Sequence, residues 1–501
     1  MKIWNCFVSV FVMLWERVQL LTKRIEPKVT LVVDHVNGLL GKPVSRLKQM
    51  IILLAIKYLY MFLIVMILKD QWYIGYGSYG IDFNVWKEIL GTLFFVGVSL
   101  IYLNVRINDL FVDCILYFLF VLYYIPLNSA FSINNQPLLY FLSSNVYFLL
   151  LILGVSFSSK WIQKCKENKH IQLQGKTKKL LYWDRNLAVV CGTVCCLFII
   201  YKLFYNGLSF SLSVGNEELY ANRAEHAAFL DSISGTFISY LLSIIRNASG
   251  VLAPLFCLIS MLKKNWKHAA LGFICMLAMY SVSSGKGTLL TIAIIIMLFI
   301  CARLKLLKHF KRIFEVAMLA LMVVCMLEHF VLQSDRIFTL LVRRMMYYPA
   351  WLSTMYYDFF MKNGPVLWTQ NVFLLQNIFT PVYDQAPLTL ISNAYYAGHV
   401  PSPNTGMFGE AIMHANLFGV LIYPVLLTVL LQVCAWVYKK YGTCVQMFFA
   451  ITLTLHLQNV PIVRTDSVLS YWFCTFLLWI LPLLYWENVP KRLQGFFSRK
   501  K

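Results

Sequence analysis

GMFGEAIMHANLFGVLIYPVLLTVLL, residues 406–431, is long enough and apolar enough to cross a lipid bilayer as a helix. It nevertheless carries two ionisable side chains, Glu410 and His414, near its first turns. Ionisable groups inside a bilayer are costly, and they usually face a polar cavity or a partner. The segment therefore indicates a membrane protein with a polar site close to one membrane surface.

The rest of the chain repeats this apolar pattern. Its 501 residues are 59% hydrophobic and only 13% charged. Apolar blocks of about 17 to 25 residues predict about twelve membrane-spanning helices, so the fold class is an all-α polytopic membrane protein. The predicted spans are 50–68, 87–104, 110–126, 138–157, 187–205, 236–262, 267–283, 287–302, 313–332, 406–437, 443–460 and 467–486. The earlier apolar run 3–15 is too short to cross and predicts a helix lying on the membrane surface.

The distribution of lysine and arginine predicts the orientation. If both termini are cytoplasmic, the cytoplasmic segments contain 32 of the 44 basic residues, as the positive-inside rule requires. The formal net charge of +22 is then mainly a topology signal and an attraction to anionic lipid headgroups. We expect no nucleic-acid partner, because the basic run 160–179 lies between two spans and shows no recognition fold. No cysteine falls in an outward loop, so no disulfide framework is implied.

The organisation predicted from these spans has five parts. Residues 1–49 form a cytoplasmic and interfacial segment, 50–332 contain nine spans, and 406–486 contain three more. Between them, 333–405 form a large extracytoplasmic loop, and 487–501 are a basic cytoplasmic tail. A structureless connection of this length is unusual, so we expect the loop to contain short helices and to have a function.

Three arginines open the large loop. Arg336 and Arg343 are seven residues apart, which places them on one face of a helix, and Arg344 follows directly. One interpretation is anchoring to lipid headgroups. The other is binding of phosphate or diphosphate, which guanidinium groups match with paired hydrogen bonds. The contrast with the few other cations on the outward side favours the second interpretation.

Aromatic residues follow the arginines closely. Tyr347, Tyr348 and Trp351 are candidates for sugar stacking, because the apolar faces of sugar rings pack on aromatic rings. The alternative is an ordinary belt of aromatic residues at the membrane interface.

Three further cations are candidate ligand-binding residues. Arg246 falls within a predicted span, where an ionisable group usually serves a function. Lys286 lies in an outward turn, SSGKG, where a lysine can also extend to the headgroups. The turn lacks the first glycine of a nucleotide-binding Walker A loop, since Tyr280 occupies that position. Arg464 can pair with the nearby Asp466 or add a phosphate contact.

Glu410 and His414 are four residues apart and therefore share one helix face at the outward end. They are either a hydrogen-bonded pair that fixes helix packing, or one of them is a general base for a substrate hydroxyl. No spacing typical of a metal site occurs in the chain, so we predict no metal and no cofactor.

In these features the chain resembles the Wzy-type polymerases of bacterial O-antigen and capsule repeat units, with the O-antigen ligases as relatives. The likeness consists of about a dozen spans and a large outward loop between two late spans. It also includes YYPAW at 347–351, GMFGEAIMHANLFGVL at 406–421 and the SSGKG turn at 283–287. It covers chiefly residues 240–470.

The resemblance implies a GT-C-like membrane glycosyltransferase in the bacterial plasma membrane. Such an enzyme transfers a glycan from polyprenyl diphosphate to the next lipid-linked repeat unit on the outer membrane face, without a metal. The arginines Arg246, Arg336, Arg343, Arg344 and Arg464 would stabilise the diphosphate leaving group. Glu410 would be the base, with His414 or Asp358 as substitutes. The ligase relatives also have an important outward histidine, which could correspond to His399 or His414.

The implied partners are polyprenyl-diphosphate-linked oligosaccharide, membrane lipids, and flippase and chain-length regulator proteins. Two other functions stay open at this stage. An O-antigen ligase would share the donor and use a different acceptor. A lipid-linked oligosaccharide flippase or other transporter would show repeated halves and interrupted helices, and the sequence shows neither pattern.

Overall fold

The computed structural model describes residues 45–69, 72–73, 77–105, 107–168, 180–207, 225–226, 228–229, 232, 237–283, 286–372, 375, 378–396, 405–464 and 467–481. The predicted surface helix at 3–15, the basic tail, His399 and Asp466 lie outside these residues.

The regular structure of the described chain is helical apart from one pair of two-residue strands, in which Trp72–Tyr73 (β1) runs antiparallel to Gly77–Ser78 (β2). The first nine helices are α1 (Arg46–Leu68), α2 (Val85–Asn104), α3 (Leu110–Ile133), α4 (Leu138–Asn168), α5 (Leu180–Asn206), α6 (Phe237–Leu262), α7 (Trp266–Ser283), α8 (Lys286–Arg303) and α9 (Phe310–Leu332). A π-helical segment, Phe338–Tyr347, leads into α10 (Tyr348–Asn363). The remaining helices are α11 (Pro387–Tyr396), α12 (Met407–Tyr438), α13 (Thr443–Leu457) and α14 (Phe473–Ile480), which a π-helical turn, Val468–Trp472, precedes.

Local sequence explains where the early helices begin. The side chains of Ser45, Asn84 and Asp109 each accept hydrogen bonds from backbone N–H groups in the first turn that follows. Such caps satisfy donors that a helix start leaves without partners. These residues therefore set the starts of α1, α2 and α3.

Eight of the described helices are long and apolar enough to cross a membrane, so the chain is a polytopic helical membrane protein. These are α1 to α6, α9 with the turn before it, and α12. The other four predicted spans are also helices, α7, α8, α13 and α14, and the last three have shorter apolar stretches. The prediction of helical spans is thus confirmed, while the structure has eight full-length candidates where the sequence predicts twelve.

The helix α12 differs from the expected continuous span at 406–437. Its backbone leaves the helical conformation at Ala415 (φ −151°) and Asn416 (φ 49°), so Glu410 and His414 belong to a short first half. Backbone groups within a bilayer must find partners inside the protein. The N–H groups of Val366 and Leu367 provide them, because they donate to the carbonyls of Met413 (2.9 Å) and His414 (3.1 Å).

The segment 333–405 contains helices, as the sequence predicts, and it packs into the bundle. Helix α10 contacts α12 and the end of α3. Ser353, Tyr356 and Phe360 on α10 are almost completely buried. This packing brings α10, which carries Tyr348 and Trp351, next to the helix that carries Glu410.

Candidate functional site

Arg343 lies on a layer of aromatic rings at the start of α10. Its guanidinium donates to the Tyr79 hydroxyl (2.9 Å) and lies 5.5 Å from the ring centre of Tyr348. Behind it, the rings of Tyr347 and Trp351 stack on each other with centres 6.0 Å apart. Aromatic faces attract a guanidinium through their electron density. The contacts hold Arg343 in place while its side chain remains half-buried.

The aromatic residues are themselves mostly packing residues. Tyr347 and Trp351 are almost completely buried, and both contact Tyr79. Asn134 donates a hydrogen bond to the Tyr347 hydroxyl (3.3 Å), and burial raises the pKa of that phenol. Tyr348 is only half-buried and keeps an accessible ring. Of the three aromatic candidates, Tyr348 is therefore the one best placed to meet a ligand.

Glu410 is completely buried and holds the turn that precedes the last helix. Its carboxylate accepts hydrogen bonds from the backbone N–H groups of Ile462 and Val463, the latter at 3.1 Å. Arg464 is the next residue in this turn. Hydrogen bonds from N–H groups to a carboxylate are among the strong ones in proteins. Glu410 thus fixes the backbone position from which the Arg464 side chain extends.

Arg464 also lies near α10. Burial raises the pKa of Tyr356 on that helix, and the positive charge of Arg464 partly offsets the rise. Tyr348 and Tyr356 are eight residues apart, which is roughly 12 Å along a helix axis. Arg343 therefore contacts the first residue of α10, and the charge of Arg464 acts on a residue about two turns further along this helix.

A hydrogen-bond network positions the start of α12. The Tyr123 hydroxyl accepts from the Phe408 N–H (3.2 Å) and lies 3.1 Å from the Ser353 hydroxyl, which lies 3.2 Å from that of Thr405. A side chain at Gly409 would collide with Thr405, whose hydroxyl lies 2.0 Å from the added carbon. Close packing of this kind fixes the Glu410 half of α12 against α3 and α10.

His414 shares the helix with Glu410 and has different surroundings. Its ring is completely buried and nearly parallel to those of Trp368 (centres 6.2 Å apart) and Tyr423 (6.0 Å). Within the described part of the chain, neither ring nitrogen has a hydrogen-bond partner. The adjacent Leu367 and Trp368 have positive φ angles of 49° and 61°, which are unfavourable for residues with side chains. Strained backbone and buried polar atoms without partners often mark functional positions.

The remaining loop candidates differ in exposure and in their partners. Arg336 and Arg344 are exposed. Asp358 accepts hydrogen bonds from Tyr395 (2.6 Å) and pairs with Lys362 (2.7 Å), joining α10 to α11. Partial burial raises the pKa of Asp358, but the hydrogen bonds from Lys362 and Tyr395 and the lysine charge lower it further, so the net pKa is below its ordinary value.

The cations of the other helices have their own environments. Arg246 on α6 lies near Tyr201 and His226. Burial lowers the pKa of His226 to about 4, and the charge of Arg246 contributes to this fall. Lys286 is the first residue of α8. The structure thus brings Arg343, Arg464, Tyr348 and Glu410 to the α10–α12 region and places Arg246 beside α5.

Sequence reasoning missed a buried ion pair between two early spans. Lys57 in α1 is completely buried and contacts the carboxylate of Glu88, which also accepts from Thr92 (2.8 Å) and Ser132 (2.7 Å). The signal was present in the sequence, because Lys57 lies in the middle of an apolar span and charges there are usually paired.

The geometry around α10 suits an anionic substrate group. The Arg343 guanidinium, next to the half-buried Tyr348 ring, can bind phosphate oxygens, and partial burial strengthens that attraction. No protein-family model matches this chain, and no curated protein or solved structure matches it either.

Proposed function

We propose that the chain is a membrane glycosyltransferase that joins oligosaccharide repeat units carried on polyprenyl diphosphate into a surface polysaccharide, O-antigen or capsule. In this proposal the fold is GT-C-like, with twelve spans and both termini in the cytoplasm of a bacterium. The reaction occurs at the outer face of the plasma membrane. The protein works beside a flippase and a chain-length regulator.

One observation carries the proposal. Arg343 and Arg464 both contact or approach α10, which packs against the broken helix α12. Breaking the bond between sugar and diphosphate develops negative charge on the leaving group, and fixed cations stabilise that charge. Polymerisation also uses two substrates that each carry a diphosphate. The two arginines act on residues that are eight positions apart on α10, which suits one diphosphate on the donor and one on the acceptor.

In this proposal the buried carboxylate of Glu410 and the partly exposed carboxylate of Asp358 have different roles. We assign Glu410 to positioning, because its oxygens accept the N–H groups that hold Arg464 in place. We assign activation of the acceptor hydroxyl to Asp358. Its side chain is 43% exposed, and its lowered pKa keeps it ionised at neutral pH. Asp358 also lies seven residues after Trp351, on the same face of α10.

The test is the length distribution of the surface glycan in cells that lack the chain and carry a plasmid copy. Arg343→Ala and Arg464→Ala should leave single repeat units in place of the ladder, at normal protein level. Arg46→Ala is the matched control, because this arginine is exposed at the start of α1 and should restore the full ladder. Full ladders with both Arg343→Ala and Arg464→Ala would contradict the proposal.

A lipid-linked oligosaccharide flippase is the second candidate, and the interruption of α12 at Ala415 and Asn416 favours it. Transporters often bind substrate where membrane helices are broken. The same deletion strain separates the two functions. A flippase defect leaves lipid-linked units on the cytoplasmic side, whereas a polymerase defect leaves single units on the outer surface.

A further inference from the structure

A groove with a volume of about 830 Å³ lies between α5, α6 and α7. None of the predicted site residues lines it. The volume is within the usual range of small-molecule binding sites. Most of its wall is apolar, formed by Leu187, Val189, Leu197, Phe256, Ile259 and Leu271.

The length of the groove matches one leaflet of a bilayer. Along α5 it extends from Leu187 to Leu197, ten residues or roughly 15 Å of helix. The hydrocarbon core of a membrane is about 30 Å thick, so the groove covers about half of it. An acyl chain fits this depth, whereas a sugar would find few hydrogen-bond partners along the apolar wall.

One end of the groove is polar and basic. Lys263, Asn265 and His268 line it at the turn between α6 and α7, and Lys264 and Lys267 flank them in the sequence. No aspartate or glutamate is among the described residues that line the groove. By the distribution of basic residues, this turn lies on the cytoplasmic side, where anionic lipids are attracted to lysine and arginine.

The orientation of His268 suits an anionic ligand. The Asn265 side-chain oxygen accepts from the backbone N–H of His268 (3.4 Å), so its amide nitrogen faces His268 Nδ1 (2.9 Å). Nδ1 is therefore the acceptor, and the neutral ring carries its proton on Nε2, which can donate to a phosphate oxygen. The His268 ring also stacks on Phe256, with centres 5.4 Å apart, which fixes its direction.

We propose that this groove binds an anionic phospholipid of the cytoplasmic leaflet, with one acyl chain along α5 and the phosphate group at Lys263 and His268. The site is separate from the α10–α12 region and does not depend on the proposed glycosyltransferase activity. It gives the protein a preference for anionic membranes that its general positive charge alone does not provide.

The experiment uses the full-length protein in detergent and counts retained lipid by native mass spectrometry. The probes are phosphatidylglycerol and phosphatidylcholine with identical acyl chains. We expect one phosphatidylglycerol to be retained preferentially. Lys263→Gln should lower that retention about fivefold, because Lys263 lines the groove where the phosphate would bind, and loss of that one contact, about 1 kcal/mol, corresponds to about this factor. Lys267→Gln is the matched control, since this exposed lysine does not line the groove.

A second variant tests the apolar part of the groove. A β-carbon added at Gly192 meets only the Phe256 ring, at 3.8 Å, and Gly192 lines the groove, so Gly192→Leu should fold normally and extend into the groove. We expect it to reduce retention of both lipids. Equal retention of the two lipids by the native protein would overturn the proposal. So would an equal loss with Lys267→Gln and Lys263→Gln, or unchanged retention with Gly192→Leu.

Discussion

Replacing Glu410 should destabilise the protein, and alanine should destabilise it more than glutamine. Its carboxylate accepts two buried backbone N–H groups, those of Ile462 and Val463. Leaving one buried N–H group without a partner costs about 1 to 3 kcal/mol. Glu410→Ala leaves both N–H groups without an acceptor, so we expect the free energy of unfolding to fall by about 2 to 6 kcal/mol. Glu410→Gln retains one acceptor oxygen and should lose about 1 to 3 kcal/mol.

The assay is thermal unfolding of the purified variants in detergent, and Glu328 supplies a matched control. Its carboxylate accepts two backbone N–H groups in the same way, from Arg336 (2.9 Å) and Ile337 (2.8 Å). Glu328→Gln should therefore destabilise the protein by a similar amount. If Glu410→Gln and Glu410→Ala are both as stable as the native protein, the reasoning about the two hydrogen bonds is refuted.

The same variants separate positioning from proton transfer. A general base replaced by glutamine loses as much activity as one replaced by alanine, typically a factor of about 10² to 10⁴. A positioning residue is partly rescued by glutamine, because one N–H group keeps its acceptor. We expect Glu410→Gln to retain longer glycan ladders than Glu410→Ala. Equally short ladders at equal protein level would assign Glu410 to the chemistry instead.

Three further predictions concern packing and charge. Lys57→Met should destabilise the protein by about 3 to 5 kcal/mol, because it leaves Glu88 buried without its cation, and adding Glu88→Leu should recover most of the thermal stability. Gly419→Ala should prevent folding to a stable form in detergent, because its side chain would lie 1.8 Å from a backbone oxygen, whereas Gly97→Ala in open space should be neutral. The folded protein lowers the pKa of His226 from 6.5 to about 4, so the folded state binds fewer protons than the unfolded one between these values. The contribution of His226 to the free energy of unfolding is therefore present above pH 6.5 and is lost as pH falls toward 4. His226→Gln should make the unfolding temperature depend less on pH between these two values.

Most of the helical architecture could be predicted because apolar length is a local property of the sequence. The start of α3 at Leu110 coincides with the predicted residue, since Asp109 caps it. The interruption of α12 could not be predicted. Proline is the usual cause of a helix break, but Pro424 lies in the continuous half, and the break falls at Ala415 and Asn416. The carbonyl groups just before the break find tertiary partners, the N–H donors of Val366 and Leu367, which a local reading of the sequence does not reveal.

For the candidate site, too, the sequence predicts individual residues but not their partners in the fold. The sequence marks Arg343 as a candidate because cations are few on the predicted outward side, and Glu410 because it is an ionisable group in an apolar segment. It does not indicate their partners, because Tyr79 is 264 residues from Arg343, and Ile462 is 52 residues from Glu410. A role for Glu410 in holding the Arg464 turn therefore required the folded structure.

The break in α12 also has a consequence for how the protein is made. The first half of α12, from Met407 to His414, is far too short to insert into a bilayer on its own. The donors that complete it, Val366 and Leu367, come earlier in the chain and are synthesised first. We expect the 333–405 segment to dock before α12 inserts fully. Replacing residues 364–368 with glycine and serine should then leave the start of α12 accessible to cysteine labelling during biogenesis.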